Sequence, residues 1–175
     1  MPYQSKHMKK VSPAKRISLL SMFTAIAVTV FIIEAQFPGI TPIPGIKLGL
    51  SNTITLFVMF LMGPCDALMV LILRIILGSV FSGQFMSFIY SLMGGLLSYL
   101  TMLILKRFLQ SDQIFVCGIF CAVMHNVGQI LTAVVITKTL SIFYYLPILT
   151  VSGIVTGLFT GLLTQILIKR LNRMF

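Results

Sequence analysis

The chain has 175 residues, 58% of them hydrophobic and 9% charged, where a soluble domain carries about 25% charge. Apolarity spread over the whole length makes lipid the solvent and leaves room for one compact bundle, with no second domain. The net charge of +10 would raise nucleic acid as a partner of a soluble protein. Here the bases sit between apolar runs, so membrane orientation explains them and no nucleic-acid partner is expected.

Residues 1–16 form a basic tail with Lys6, Lys9, Lys10, Lys15 and Arg16. An apolar run over 17–37 follows, long enough to cross a core of about 30 Å. A basic start before an apolar run also fits a signal peptide, but no small-x-small cleavage site follows and later runs make the protein polytopic. Residues 38–52, PGITPIPGIKLGLSN, then exclude a continuous helix, because proline fixes φ and lacks a backbone donor. We read this stretch as a shaped loop at the mouth of a membrane cavity. Further apolar runs cover 48–63, 65–81, 84–105, 114–137 and 146–168, and a basic tail closes the chain over 169–175. The second and third are short for a span and are expected to be tilted, thinned or partly re-entrant.

The fold class expected is therefore an all-α integral membrane protein, a bundle of six transmembrane helices over 17–168. With six spans and a cytoplasmic N-terminus, ten Lys and Arg fall inside and only Lys47 and Lys138 outside. That bias predicts N-in/C-in topology and places the 38–52 loop outside.

Small residues recur on particular faces. Gly153, Gly157 and Gly161 step by four in the last span, and Ser21, Ala25 and Thr29 do so in the first. Such stripes let helix backbones approach closely in lipid, either inside the bundle or against a partner helix.

Arg74 lies near the middle of the third run. A central arginine is unfavourable by roughly 2.5–3.5 kcal/mol on insertion scales, so it must face the interior or water and be paired. Two readings stand: a structural arginine satisfied by carbonyls or by Glu34, or a cation facing a ligand, whose rigid fork suits carboxylate or phosphate. Glu34 is the acid of the outward half, and is either the partner of Arg74 or a ligand contact. Asn52 lies a turn inside the second span. Asp66, at the inner end of the third, is expected to cap that helix.

In the fifth span His125, Asn126 and Gln129 are polar near mid-membrane, where such groups face inward and are hydrogen-bonded. Tyr90 and Ser91 are further cavity candidates. Cys117, Cys121 and His125 also step by four, but ligands strung along one helix do not converge on one metal ion. Three acids far apart in sequence offer no pair for Mg²⁺-diphosphate, no cofactor motif is evident, and no Gly-Lys-Ser/Thr phosphate loop occurs. Enzyme chemistry is not expected, and any ATP energy must come from another subunit.

PGIKLGLSN (44–52), RIILG (74–78), YSLMGG (90–95) and HNVGQ (125–129), in this order, resemble the Gx transporter family, also labelled heptaprenyl diphosphate synthase component I. The resemblance covers nearly all of the chain from about residue 17. It implies a protein similar to the substrate-binding S-components of energy-coupling-factor (ECF) transporters, in a multi-pass bacterial cytoplasmic membrane setting. In those, a small ligand sits in an outward pocket under the loop after the first helix, and separate ECF transmembrane and ATPase subunits supply the motion.

On this reading the protein binds a small anionic molecule, such as a quinone or isoprenoid precursor, for uptake. Arg74 and Lys47 attract the charge, and Glu34, Asn52, Tyr90, His125, Asn126 and Gln129 complete the site. Pro42, Pro44 and Gly45 belong to the lid. The rivals are a membrane scaffold for a prenyl diphosphate synthase, docking by its basic ends, and a self-sufficient secondary carrier.

Overall fold

The computed structural model describes residues 12–36, 49–83, 85–109 and 111–174. Pro42, Pro44, Gly45 and Lys47, expected as the lid and its cation, lie outside the described residues. All regular structure among the described residues is helical, in six α-helices. They are α1 (Pro13–Gln36), α2 (Asn52–Leu61), α3 (Pro64–Ser82), α4 (Phe85–Lys106), α5 (Ile114–Thr137) and α6 (Leu146–Met174). Two 3₁₀ turns, Ser111–Gln113 and Leu140–Tyr145, precede α5 and α6.

Five of these helices, all but α2, are long and apolar enough to cross a membrane. The second apolar run does not become a full span. Its helix has 10 residues, about 15 Å at helical rise, or half of a hydrocarbon core. The backbone explains both ends: Gly49 adopts φ +77°, and Gly63 stops α2 with φ +122°. Pro64 then begins α3 at its first turn, where its missing N–H costs no hydrogen bond. That start gives α3 19 residues, enough to span, so of the two short runs only the second is truncated.

Side-chain contacts fix how the helices alternate. Arg16 near the start of α1 grips Asp66 in the first turn of α3, with Nη2 2.6 Å from Oδ1 and Nε 3.1 Å away. Asp66 thus does not cap its own helix: the cap position is Gly63, without a side-chain bond, and the buried carboxylate is held by α1 instead. The Tyr99 hydroxyl donates to Pro64 O at 3.0 Å, and Lys106 Nζ donates to Met59 O at 2.5 Å. At the same end Phe115 N–H donates to Gln165 Oε1 at 3.3 Å, and Lys169 pairs with Asp112 at 2.8 Å. The start of α1 and the end of α6 therefore share one end of the bundle, and the turn at Gly49 lies deeper, toward the other.

The glycine stripe of α6 packs inside the bundle. A Cβ on Gly157 would lie 2.7 Å from Gly118 O, and one on Gly161 would lie 2.7 Å from Phe115 Cα. The backbones of α5 and α6 are in contact there, which only glycine permits. Ser21, Ala25 and Thr29 on α1 are exposed, and the Thr29 hydroxyl turns back to Ala25 O at 2.9 Å. The two stripes look alike in sequence and lie in opposite environments. Large apolar side chains such as Ile33, Phe81, Leu100, Val135 and Phe159 are exposed on the long helices, as a surface solvated by lipid requires.

Candidate functional site

Arg74 is the tenth residue after Pro64, about 15 Å along α3 at helical rise. It is 1% exposed. Its Nη1 donates to Ser51 Oγ and its Nη2 to Asn52 Oδ1. The guanidinium is therefore held neither by backbone carbonyls nor directly by Glu34, but by two side-chain oxygens at the start of α2. Nε has no hydrogen-bond partner. Among the described residues Arg74 makes no ion pair. Neutral acceptors satisfy part of the fork, and the Glu34 carboxylate favours the charge electrostatically without an ion-pair contact, a weaker arrangement for a buried ion than a carboxylate on the fork.

These bonds also set the depth of α2. Because Asn52 meets Arg74 midway along α3, α2 begins near the mid-height of the bundle and runs only to the Arg16–Asp66 end. A half-helix of this kind directs its N-terminal N–H groups and positive dipole end into the bundle. Glu34, on α1, answers that end: its Oε1 accepts the N–H of Gly49 and, at 3.2 Å, that of Leu50. The turn closes through Asn52 N–H to Gly49 O at 2.9 Å and Thr53 N–H to Leu50 O at 3.0 Å. A carboxylate and a guanidinium thus both meet the α2 N-terminus. The cation lies at the helix end that favours anions, and the Glu34 carboxylate acts on both.

The fifth helix joins through His125. A Cβ on Gly49 would stand 2.7 Å from His125 Cδ2 and 3.0 Å from Asn52 Nδ2, so the ring and the amide close on a position that only glycine can fill. On its other side the ring abuts α4, where a Cβ on Gly94 would lie 2.9 Å from His125 Nδ1. Gln129 Nε2 lies 3.1 Å from His125 Nε2. Asn52 Nδ2 and Gln129 Oε1 are buried without partners. A polar string thus runs from Arg74 through Asn52, past Gly49, to His125 and Gln129.

Two candidates lie elsewhere. Asn126 points to α6, where its Nδ2 donates to Leu149 O at 2.6 Å and packs against Gly153. Successive helical residues differ by about 100°, so His125 and Asn126 serve different neighbours. Tyr90 is buried in an apolar cluster with Ile130, Ala133, Ile142 and Leu149. Conversely, Ser51, the Gly49 and Leu50 amides and Gly94 were not singled out as site residues. The signal for Ser51 was available: a buried arginine needs oxygen acceptors, and the Ser51–Asn52 pair stands where an interrupted run begins.

Beside the string lies a narrow cleft, lined by Gly49, Asn52 and Leu56, by Met102 of α4, by Cys121 of α5 and by Thr156 and Thr160 of α6. Asn52 belongs to both features.

A model of the protein family described as heptaprenyl diphosphate synthase component I matches residues 23–167. No curated protein and no solved structure matches the chain.

Proposed function

The chain belongs to the heptaprenyl diphosphate synthase component I family, and from that premise we propose that it is a membrane-embedded substrate-binding protein of the S-component kind. It serves uptake of a small anionic molecule such as a quinone or isoprenoid precursor, from a cell membrane in which both termini face the cytoplasm. The observation that carries this reading is Arg74, buried, with Nε unpartnered and with no ion pair among the described residues. A purely structural arginine at that depth is better served by a carboxylate on its fork, whereas an anion receptor keeps the charge for its ligand. Asn52 adds to this: its Oδ1 takes Arg74, and its Nδ2 is buried without a partner.

We read the protein as non-catalytic. Glu34 is committed to the turn before α2, Asp66 to Arg16 and Asp112 to Lys169, so these acids form no pair of the kind that grips a metal-diphosphate.

The test is mass spectrometry of small molecules retained by the protein in lipid nanodiscs. An anion should be enriched on the native chain and lost from Arg74→Gln. A charge-assisted hydrogen bond contributes about 1.5–3 kcal/mol, so affinity should fall at least about tenfold. Equal retention by Arg74→Gln would remove the anion site.

A second reading is favoured by the family description itself, which speaks of a synthase component: a membrane partner that docks a soluble prenyl-transferring subunit on the basic end. Affinity capture separates the two, since ATPase and transmembrane partners belong to transport and a synthase subunit to the scaffold.

A further inference from the structure

We infer that the basic end of the bundle binds anionic phospholipid, through Lys15, Arg107 and Arg170 and the apolar stripes that lead to them. Basic residues come in adjacent pairs at this end, and one member of each pair is engaged by the chain itself. Arg16 holds Asp66, Lys106 donates to Met59 O at 2.5 Å and Lys169 pairs with Asp112 at 2.8 Å. Their neighbours Lys15, Arg107 and Arg170 are exposed, and among the described residues they make no ion pair. Adjacent helical positions point about 100° apart, so the second member of each pair is turned to a different neighbour. No acid of the chain is left for these three. It contains Glu34, Asp66 and Asp112 alone, and Arg16 and Lys169 take the two aspartates. Glu34 holds the Gly49 amide, about 28 Å along α1 from Lys15 at helical rise.

Each of these cations ends an exposed apolar stripe. Lys15 precedes Met22 and Ile26 by 7 and 11 positions, Arg107 follows Ile104 and Leu100 by 3 and 7, and Arg170 follows Leu167 and Leu163 by 3 and 7. Such steps keep to one helix face. Acyl chains cover these faces, so the cations at their ends stand at the level of the lipid head groups. A phospholipid fits both parts, with its chains along the stripe and its phosphate on the cation. A zwitterionic head brings its own positive charge, whereas an anionic one supplies the charge that the chain lacks. An acidic protein surface would meet the cation but not the apolar stripe continuous with it. The preference for anionic over zwitterionic lipid should be about fivefold at each cation, the ratio that corresponds to roughly 1 kcal/mol.

The chain contains no tryptophan, and Phe108, 77% exposed beside Arg107, is the place for a single reporter. Phe108→Trp is placed in vesicles of equal parts phosphatidylcholine and phosphatidylglycerol, with one of the two lipids brominated on its upper acyl carbons. Brominated phosphatidylglycerol should quench the reporter more strongly, with a relative association of about fivefold. Adding Arg107→Gln should bring the two lipids level. Phe85→Trp, at the opposite end of α4, should be quenched equally by both. Equal quenching of the Phe108→Trp reporter would overturn the proposal and leave these cations to an acidic protein surface. A preference that survives Arg107→Gln, or one equally strong at Phe85→Trp, would overturn it too, because the lipid would then follow net charge rather than the named residue. If the Phe108 variant does not fold, Ile17→Trp with and without Lys15→Gln makes the same measurement on α1.

Discussion

The carboxylate of Glu34 accepts the backbone N–H of Gly49, 15 residues further along the chain. Through that bond α1 holds the start of the half-helix α2 at mid-depth, and α2 in turn presents Ser51 and Asn52 to Arg74. Glu34 thereby positions the acceptors of the buried Arg74.

Glu34→Gln keeps an acceptor but removes the charge facing the α2 dipole. It should cost about 0.3–2 kcal/mol. Glu34→Ala leaves two amides without their acceptor and should cost about 1–3 kcal/mol. Unfolding in a mild detergent should rank native above Gln above Ala; equal midpoints would show that the bond does not hold α2.

Two glycines with positive φ should respond differently to alanine. At Gly49 (φ +77°) the new methyl would strike His125 and Asn52, whereas at Gly83 (φ +66°) nothing lies within 4 Å. Gly83→Ala should cost about 1 kcal/mol, the strain of the left-handed backbone alone. Gly49→Ala adds overpacking of about 1–3 kcal/mol and should also weaken ligand binding. Equal effects of the two on thermal stability would argue against the close approach of His125.

Leucine substitutions discriminate the two small-residue stripes. Gly157→Leu drives a side chain into α5 and should disrupt the bundle, costing more than the roughly 1–3 kcal/mol of ordinary overpacking. Ala25→Leu adds an apolar group to an exposed face and should change monomer stability by less than about 0.5 kcal/mol. Any loss it causes should then appear in capture of partner subunits, not in the melting curve.

At the basic end, Arg16→Ala should cost more than an exposed ion pair. Arg16 is half exposed but Asp66 is 3% exposed, so the truncation leaves a buried carboxylate unpaired. The double variant Arg16→Ala with Asp66→Asn should recover most of the loss, because no buried charge then remains. Additive losses in a double-mutant cycle would show that the two groups are not coupled.

The positions of the helices were legible in the sequence. Apolar runs, Gly63-Pro64 and the basic clusters mark out six helices, though α1 begins earlier, at Pro13, α6 runs on to Met174, and the second run is cut short. There the sequence showed an apolar stretch from 48 to 63, and tertiary structure decided that only Asn52–Leu61 is helix. The burial of Arg74, His125 and Gln129 was equally readable, since lipid forces polar groups inward. Which groups meet was not. It depends on helix rotation and on the depth at which α2 begins, so Arg74 finds Ser51 and Asn52 rather than Glu34, and neighbouring His125 and Asn126 part company. The same limit applies to the stripes on α1 and α6. Spacing shows that a face is smooth, and only packing decides whether another helix of the chain covers it.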